Sequence, residues 1–197
     1  MSNQPTRRKI MLGGAVAAGG LVLTDELLAQ GQLTPTPACN GGGAATLRQT
    51  EGPFFTPNSP ERQSLLEQGM KGRVLELVGL VVTRDCKPVP GALLDFWQAD
   101  TAGAYDNKGF RLRGHQFASR EGGYRLRTIM PAQYTGRTAH IHVKVQAPNR
   151  PVLTTQLYFP DQPQNARDPL FRPELLMRLG TGGDAMQGRF DFVLETA

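Results

Sequence analysis

The sequence predicts an antiparallel β-sandwich, and three observations carry that reading. In residues 139–145, Ala-His-Ile-His-Val-Lys-Val, apolar and polar side chains alternate with period two, the signature of a strand with one face buried. Strand-like runs recur along the chain, separated by turn signals such as Asp85-Cys86-Lys87-Pro88. Glycine and proline number 23 and 15 among 197 residues, which favours many turns over long helices.

Taken in order, the chain opens on Thr6-Arg7-Arg8-Lys9 followed by an apolar run rich in Gly, Ala, Val and Leu. That run is too short for a membrane span, which needs about 18 apolar residues, and reads as a signal peptide over 1–29. Its paired arginines resemble a twin-arginine signal, so the protein is expected to be exported, with no stable membrane association after cleavage. Residues 30–45, rich in Gly, Pro, Thr and Ala, read as a flexible linker, and 46–197 as one domain. Within it, 50–55 (Thr-Glu-Gly-Pro-Phe-Phe) sets a turn against two aromatics, where the chain first docks on the core. A short helical turn is expected over 60–69, then strands over 73–83 and 92–98. A glycine-containing loop over 99–116 precedes strands at 124–129, 139–146, 154–159 and 189–194. The stretch 160–188 reads as irregular, with one short helix at 173–178.

Composition narrows the function classes. Hydrophobic residues at 39% and charged residues at 20% describe an ordinary globular domain, long enough to bury a core. Residues 1–29 hold three basic and two acidic side chains, so the net charge of +5 falls to +4 without them. Those charges are scattered, without the basic stripe of a nucleic-acid binder, and no nucleic-acid partner is expected. The two cysteines, Cys39 and Cys86, suit an oxidising compartment. A disulfide between them would contribute on the order of 4 kcal/mol in the chain-entropy model.

The candidate site begins with the histidines. There are three, and two of them, His140 and His142, project from the same face of one strand, which is the arrangement of a ligand pair. Zinc built from His and Cys does not fit, because the cysteines stand alone. No carboxylate sits near the pair on its strand. A tyrosine phenolate is a hard, anionic donor suited to ferric iron. Of the four tyrosines, Tyr105 and Tyr134 fall in glycine-flanked loops, where functional side chains are commonly presented, while Tyr124 and Tyr158 fall in strands. Parity alone leaves Tyr158 open. Trp97 reads as core, its indole N–H finding a loop carbonyl.

At this point the chain resembles the intradiol ring-cleavage dioxygenases, over residues 50–159. The resemblance rests on Glu51-Gly52-Pro53-Phe54-Phe55, on 88–92 (Pro-Val-Pro-Gly-Ala) leading to 96–100 (Phe-Trp-Gln-Ala-Asp), and on Gly103-Ala104-Tyr105. It continues through 124–129 (Tyr-Arg-Leu-Arg-Thr-Ile), Tyr134, Arg137, Ala139-His140-Ile141-His142 and Gln156-Leu157-Tyr158-Phe159. Each piece alone is weak; their order and spacing together are specific.

The resemblance implies a mononuclear non-haem Fe(III) centre held by Tyr105, Tyr134, His140 and His142. It makes Arg137 the active-site arginine, stabilising negative charge that develops on the substrate, and Gln156 a pocket residue. The implied reaction uses O2 to cleave a catechol-type ring between its two hydroxylated carbons, giving a cis,cis-muconate, with Tyr134 the ligand that takes up a substrate proton. His115 matches no ligand position. The chain departs from the family in three ways: no helical domain precedes the β-core, only Thr135 and Gly136 separate Tyr134 from Arg137, and the loop between Tyr105 and Tyr134 is short. A shallower pocket that admits bulkier catechols is the expectation. The alternative reading takes residues 77–100 as part of a transthyretin-like sandwich, an exported binding module without metal. An Fe(II) oxygenase triad would need a carboxylate that is not evident here.

Overall fold

A computed structural model describes residues 43–182 and 184–195. The chain divides into Met1–Gln30 and Gly31–Ala197. The first unit, which contains the expected signal peptide, lies outside the described residues, as do most of the linker and Cys39. Cys86 is disulfide-bonded.

Among the described residues, nine strands make up two sheets: β1 (Val74–Thr83), β2 (Leu93–Gln98), β3 (Arg113–Phe117), β4 (Gly123–Ile129), β5 (His140–Gln146), β6 (Leu153–Tyr158), β7 (Arg178–Gly182), β8 (Ala185–Arg189) and β9 (Phe192–Leu194). One sheet runs β4-β1-β8-β7 with β9 beside the end of β1; the other runs β3-β2-β5-β6. Buried side chains from both sheets feed one core, which includes Leu75, Leu77 and Val81 of β1, Leu126 of β4, and Ile141, Val143 and Val145 of β5. Burial of these aliphatic faces, at about 25 cal/mol per Å2 of apolar surface, is the main force holding the sheets together. No helix among the described residues is long and apolar enough to cross a membrane.

The sandwich is as expected, but not all of its pairing is antiparallel. β1 pairs in parallel with β8 and with β9. After the long excursion over 160–177 the chain re-enters this sheet at its edge strand β7, and the antiparallel step from β7 to β8 brings β8 beside β1 in the parallel sense. The expected strand over 189–194 is broken between β8 and β9. There Phe190 O presses on Gly79, where a Cβ would lie 1.8 Å from it. Beside the break, the Asp191 carboxylate accepts the Leu80 N–H at 2.8 Å.

Other boundaries moved for similar reasons. Residues 60–69 are not helical. They run extended, with single bridges from Glu61 to His115 and from Ser64 to Arg127, so that tertiary hydrogen bonds override local propensity. The loop assigned to 99–116 ends in β3, whose Arg-Gly-His-Gln-Phe sequence shows no apolar alternation. The excursion 160–188 holds 3-10 turns at Pro163–Arg167 and Pro173–Leu175 as well as β7 and part of β8, and the helix expected over 173–178 is only the second of those turns.

Register places the functional residues. Across the second sheet Arg113 pairs with Trp97, Trp97 with His142, and His142 with Gln156, one row over β3, β2, β5 and β6. The next row holds His140 opposite Tyr158. These rows lie on the face opposite Phe96, Ile141, Val143 and Leu157, yet His140 and His142 are each only 3% exposed. The polar parity of β5 is therefore not a solvated face. The segment 49–55 and the loops after β2 and β4 cover it.

Candidate active site

His140 and His142 come together as their shared parity requires. Their Nε2 atoms are 3.1 Å apart. The Tyr105 phenol oxygen completes a triangle, 3.1 Å from His142 Nε2 and 3.4 Å from His140 Nε2. Tyr134 stands edge-on to Tyr105, with ring centroids 5.8 Å apart and planes at 85°. The structure thus gathers all four residues that the sequence singled out, two from one strand and two from loops 29 residues apart.

Backbone conformation makes this approach possible. Tyr134 and Arg137 pair across a two-residue turn closed by Arg137 N–H to Tyr134 O at 2.7 Å, with Gly136 at φ +75°. Gly103, at φ +78°, brings the Tyr105 loop against the Tyr134 loop; a Cβ there would sit 2.4 Å from Gln133 O. Asp100 shapes the same turn by accepting the N–H groups of Ala102 and Ala104. The segment beginning at Glu51 forms a strap over the site. Phe54 stacks on Tyr105 at 4.5 Å and 18° and meets Tyr134 edge-on. Phe55 packs on Trp97, and the Glu51 carboxylate pairs with Lys144.

Protonation follows from the surroundings. His140 Nδ1 lies 2.6 Å from Thr138 O and must donate to it, which leaves a lone pair on Nε2. Burial lowers the His140 pKa to about 4, and holds His142 well below its ordinary value, with the charges of its neighbours adding to the effect. Both rings are neutral near pH 7. Burial also raises the Tyr105 phenol above its ordinary value; Arg137 and Arg113 oppose that, and Tyr134 reinforces it. His140 Nε2 therefore presents a lone pair to His142 Nε2 and to the Tyr105 oxygen, and His142 Nδ1 is buried without a hydrogen-bond partner among the described residues. Donors about 2.1 Å from one ion stand about 3 Å from each other, the spacing found here. Among the described residues no three His, Cys, Asp or Glu side chains cluster closely enough to hold a metal. A site built on this histidine pair therefore draws on tyrosines, whose hard phenolate oxygens match ferric iron.

Arg137 lies beside this set. Its Nε donates to both oxygens of Asp168, at 2.9 and 3.0 Å, and its Nη2 donates to Gln156 Oε1 at 2.6 Å. Gln156 is fully buried, with its Nε2 donating to Thr50 O. The Tyr158 hydroxyl lies 2.9 Å from both Gln156 Oε1 and Leu170 O, so one proton serves two acceptors. Tyr158 thus joins the Arg137 network, not the donor triangle. Asp168 was missed by sequence reasoning. Burial raises its carboxyl, but the N–H groups of Thr138 and Leu170 and the Arg137 guanidinium outweigh this and hold it below the usual carboxylate range. Trp97 is core, as expected, and stacks on His142 at 4.8 Å and 10°. Its Nε1, for which a loop carbonyl was expected, has no hydrogen-bond partner among the described residues. His115 lies away from the triangle and bonds Ser59 O at 2.7 Å.

The fold and these side chains define a class: a β-sandwich carrying a tyrosine–histidine donor set on a covered sheet face. The family model described as "Dioxygenase" matches residues 50–196. The chain is 56% identical to the dioxygenase domain of a dioxygenase carbohydrate-binding protein fusion from Streptomyces sp. SirexAA-E, with a TM-score of 0.77 over 78% of this chain and 100% of that one. It is 31% identical to catechol 1,2-dioxygenase of Acinetobacter baylyi, over 63% of this chain and 49% of that protein. It is 29% identical to hydroxyquinol 1,2-dioxygenase of Nocardioides simplex, over 76% and 59%. The chain belongs to the intradiol ring-cleavage dioxygenase family. It spans about half the length of the curated relatives it matches.

Proposed function

We propose that this protein is a ferric-iron intradiol dioxygenase that opens a catechol-type ring between its two hydroxylated carbons with O2. The product is a cis,cis-muconate. The observation that carries this reading is the convergence of Tyr105 Oη, His140 Nε2 and His142 Nε2 within 3.4 Å, with Tyr134 against Tyr105.

Tyr105, Tyr134, His140 and His142 would hold the iron. When bound, Fe(III) supplies the Lewis acidity that withdraws electron density from a chelated catechol, so that both atoms of O2 enter the product and no external reductant is needed. The chain's own residues do the rest. His140, donating from Nδ1 to Thr138 O, keeps its Nε2 lone pair turned inward. Tyr134, on the turn, accepts one substrate proton at its Oη. Arg137, fixed by Asp168 and Gln156, offers a cationic donor to the negative charge that develops as oxygen is inserted. Phe54, Phe55 and Trp97 cover the donors and exclude water from that side.

The two-residue turn between Tyr134 and Arg137 supports a pocket open to bulkier substituted catechols, and the paired arginines at Arg7 and Arg8 support export of the folded, iron-loaded protein. Tyrosinate bound to ferric iron absorbs strongly in the visible range. Purified protein should therefore be red to burgundy and should open catechol rings; comparing catechol, protocatechuate and a bulky substituted catechol tests the pocket. Protein that stays colourless and inactive on iron addition would return the chain to the binding-module reading.

A further inference from the structure

Arg113 is among the largest fully buried side chains, 1% exposed. A guanidinium taken out of water costs several kcal/mol unless its donors are satisfied, and such a group ordinarily pairs with a carboxylate. Among the described residues Arg113 forms no ion pair. All its side-chain hydrogen bonds run to two main-chain carbonyls. Nε and Nη2 donate to Asp106 O at 2.9 and 2.7 Å, and Nη1 donates to Phe54 O at 2.6 Å. The Asp106 carboxylate is engaged elsewhere, accepting the N–H groups of Lys108, Gly109 and Arg111.

The two carbonyls belong to particular neighbours. Asp106 directly follows Tyr105. Phe54 carries the ring that stacks on Tyr105 and meets Tyr134 edge-on. Strand β3 places Arg113 in the same row as Trp97 and His142, so the guanidinium grows from the rigid sheet that also carries the histidine half of the donor set. Two loop segments, 52 residues apart in sequence, are thereby tied to one sheet through a planar fork whose donor spacing a point charge cannot reproduce.

We propose that Arg113 is a positioning residue for the tyrosine half of the site, clamping the Tyr105 loop and the Phe54 strap to β3 and so setting where the Tyr105 oxygen stands relative to the two Nε2 atoms. The inference rests on the dioxygenase reading for its consequence, but not for its geometry. Arg113 touches neither the donors nor a substrate; it acts through Tyr105 and Phe54.

The test compares Arg113→Lys and Arg113→Met with the unsubstituted protein, in metal-free and iron-loaded forms. In the metal-free protein, amide hydrogen exchange should quicken together in 52–56 and 104–109 and stay unchanged in β1 and β4. In the iron-loaded protein the visible charge-transfer band should shift, and iron affinity should fall about 10- to 100-fold, the usual effect of losing a group that orients a ligand. kcat should fall by more than KM rises, with Lys retaining more than Met. A lower thermal midpoint with unchanged band, iron affinity and exchange in those two segments would overturn the proposal and leave Arg113 a stability residue. Should Arg113→Met fail to fold, Arg113→Lys alone decides. If the unsubstituted protein takes up no iron, the dioxygenase reading fails, and the exchange result on metal-free protein still decides whether the clamp exists.

Discussion

Replacing Asp168 with Asn keeps the shape of the side chain and removes its charge. In the folded protein the two carboxylate oxygens accept from Arg137 Nε, from Thr138 N at 2.9 Å and from Leu170 N at 2.9 Å. The Asp168 side chain is 0% exposed and that of Arg137 15%. An asparagine offers one acceptor oxygen and one NH2. Whichever way the amide is turned, its NH2 faces either Thr138 N–H or Leu170 N–H, and a buried donor left without an acceptor costs about 1–3 kcal/mol. The lost charge pairing with Arg137 adds to this, and breaking a buried ion pair costs about 3–5 kcal/mol in all. For a domain of this size that is a fall in Tm of roughly 10 °C or more.

The pH dependence makes the test sharper. The carboxyl of Asp168 is depressed below 3.8, so its stabilising contribution is present above that value and lost as pH falls through the native pKa. The gap between the two proteins, measured by urea denaturation, should be full at pH 7 and close below about pH 4. The Asp168 charge is the smallest of the influences on His140, so histidine titration differs between the two proteins only through that one contribution. Activity should fall with stability, because Arg137 loses the partner that aims it. A gap under about 0.5 kcal/mol at pH 7, the range of an ordinary surface change, would refute the reasoning. So would a gap that persists unchanged into acid.

Gly103→Ala forces a Cβ to 2.4 Å from Gln133 O at a φ of +78°, so the two tyrosine loops must part. We expect a destabilisation of about 1–3 kcal/mol and a lower iron content by metal analysis of the purified protein. Tyr134→Phe should shift and weaken the visible band, since Tyr105 remains, His142→Ala should weaken it through lost iron, and both should abolish ring opening, while His115→Ala changes neither; absorbance and product formation report this directly. The His140 pKa is lowered from 6.5 to about 4, so metal-free protein holds its full histidine contribution above pH 6.5 and loses it as pH falls towards 4. Denaturation curves across that range should decline more shallowly in His140→Gln.

What was legible in the sequence was what a local period or a motif can encode. The alternation in β5 set His140 and His142 on one face and Ile141, Val143 and Val145 on the other, and the structure keeps that division. β3 escaped notice because neither face is a plain apolar one. Arg113 faces the site, Gly114 lies against Arg62 and Leu65 where a Cβ would come within 2.8 Å of both, and Phe117 is 51% exposed. The helix expected at 60–69 failed for another reason: its N–H groups find acceptors in His115 and Arg127, partners about 50 residues or more away.

The same distinction separates the site residues that sequence reading found from those it missed. His140 and His142 were found from their shared strand face, and Tyr105 and Tyr134 were singled out from the other tyrosines by the motifs that carry the family resemblance, which are written in side-chain identities. Asp168 and Arg113 were missed because their partners are largely main-chain groups, and a carbonyl or N–H carries no residue identity. Thr138 N and Leu170 N could belong to any residue, as could Phe54 O and Asp106 O. Yet these two charges have opposite signs and complementary placement. Asp168 holds the Arg137 guanidinium beside one end of the histidine row, and Arg113 binds the Phe54 and Asp106 carbonyls beside the other. Two buried charges thus tie main-chain groups around the site into place, Arg113 through Phe54 O and Asp106 O and Asp168 through Thr138 N and Leu170 N, which is how loops rather than strands can carry half of the donor set.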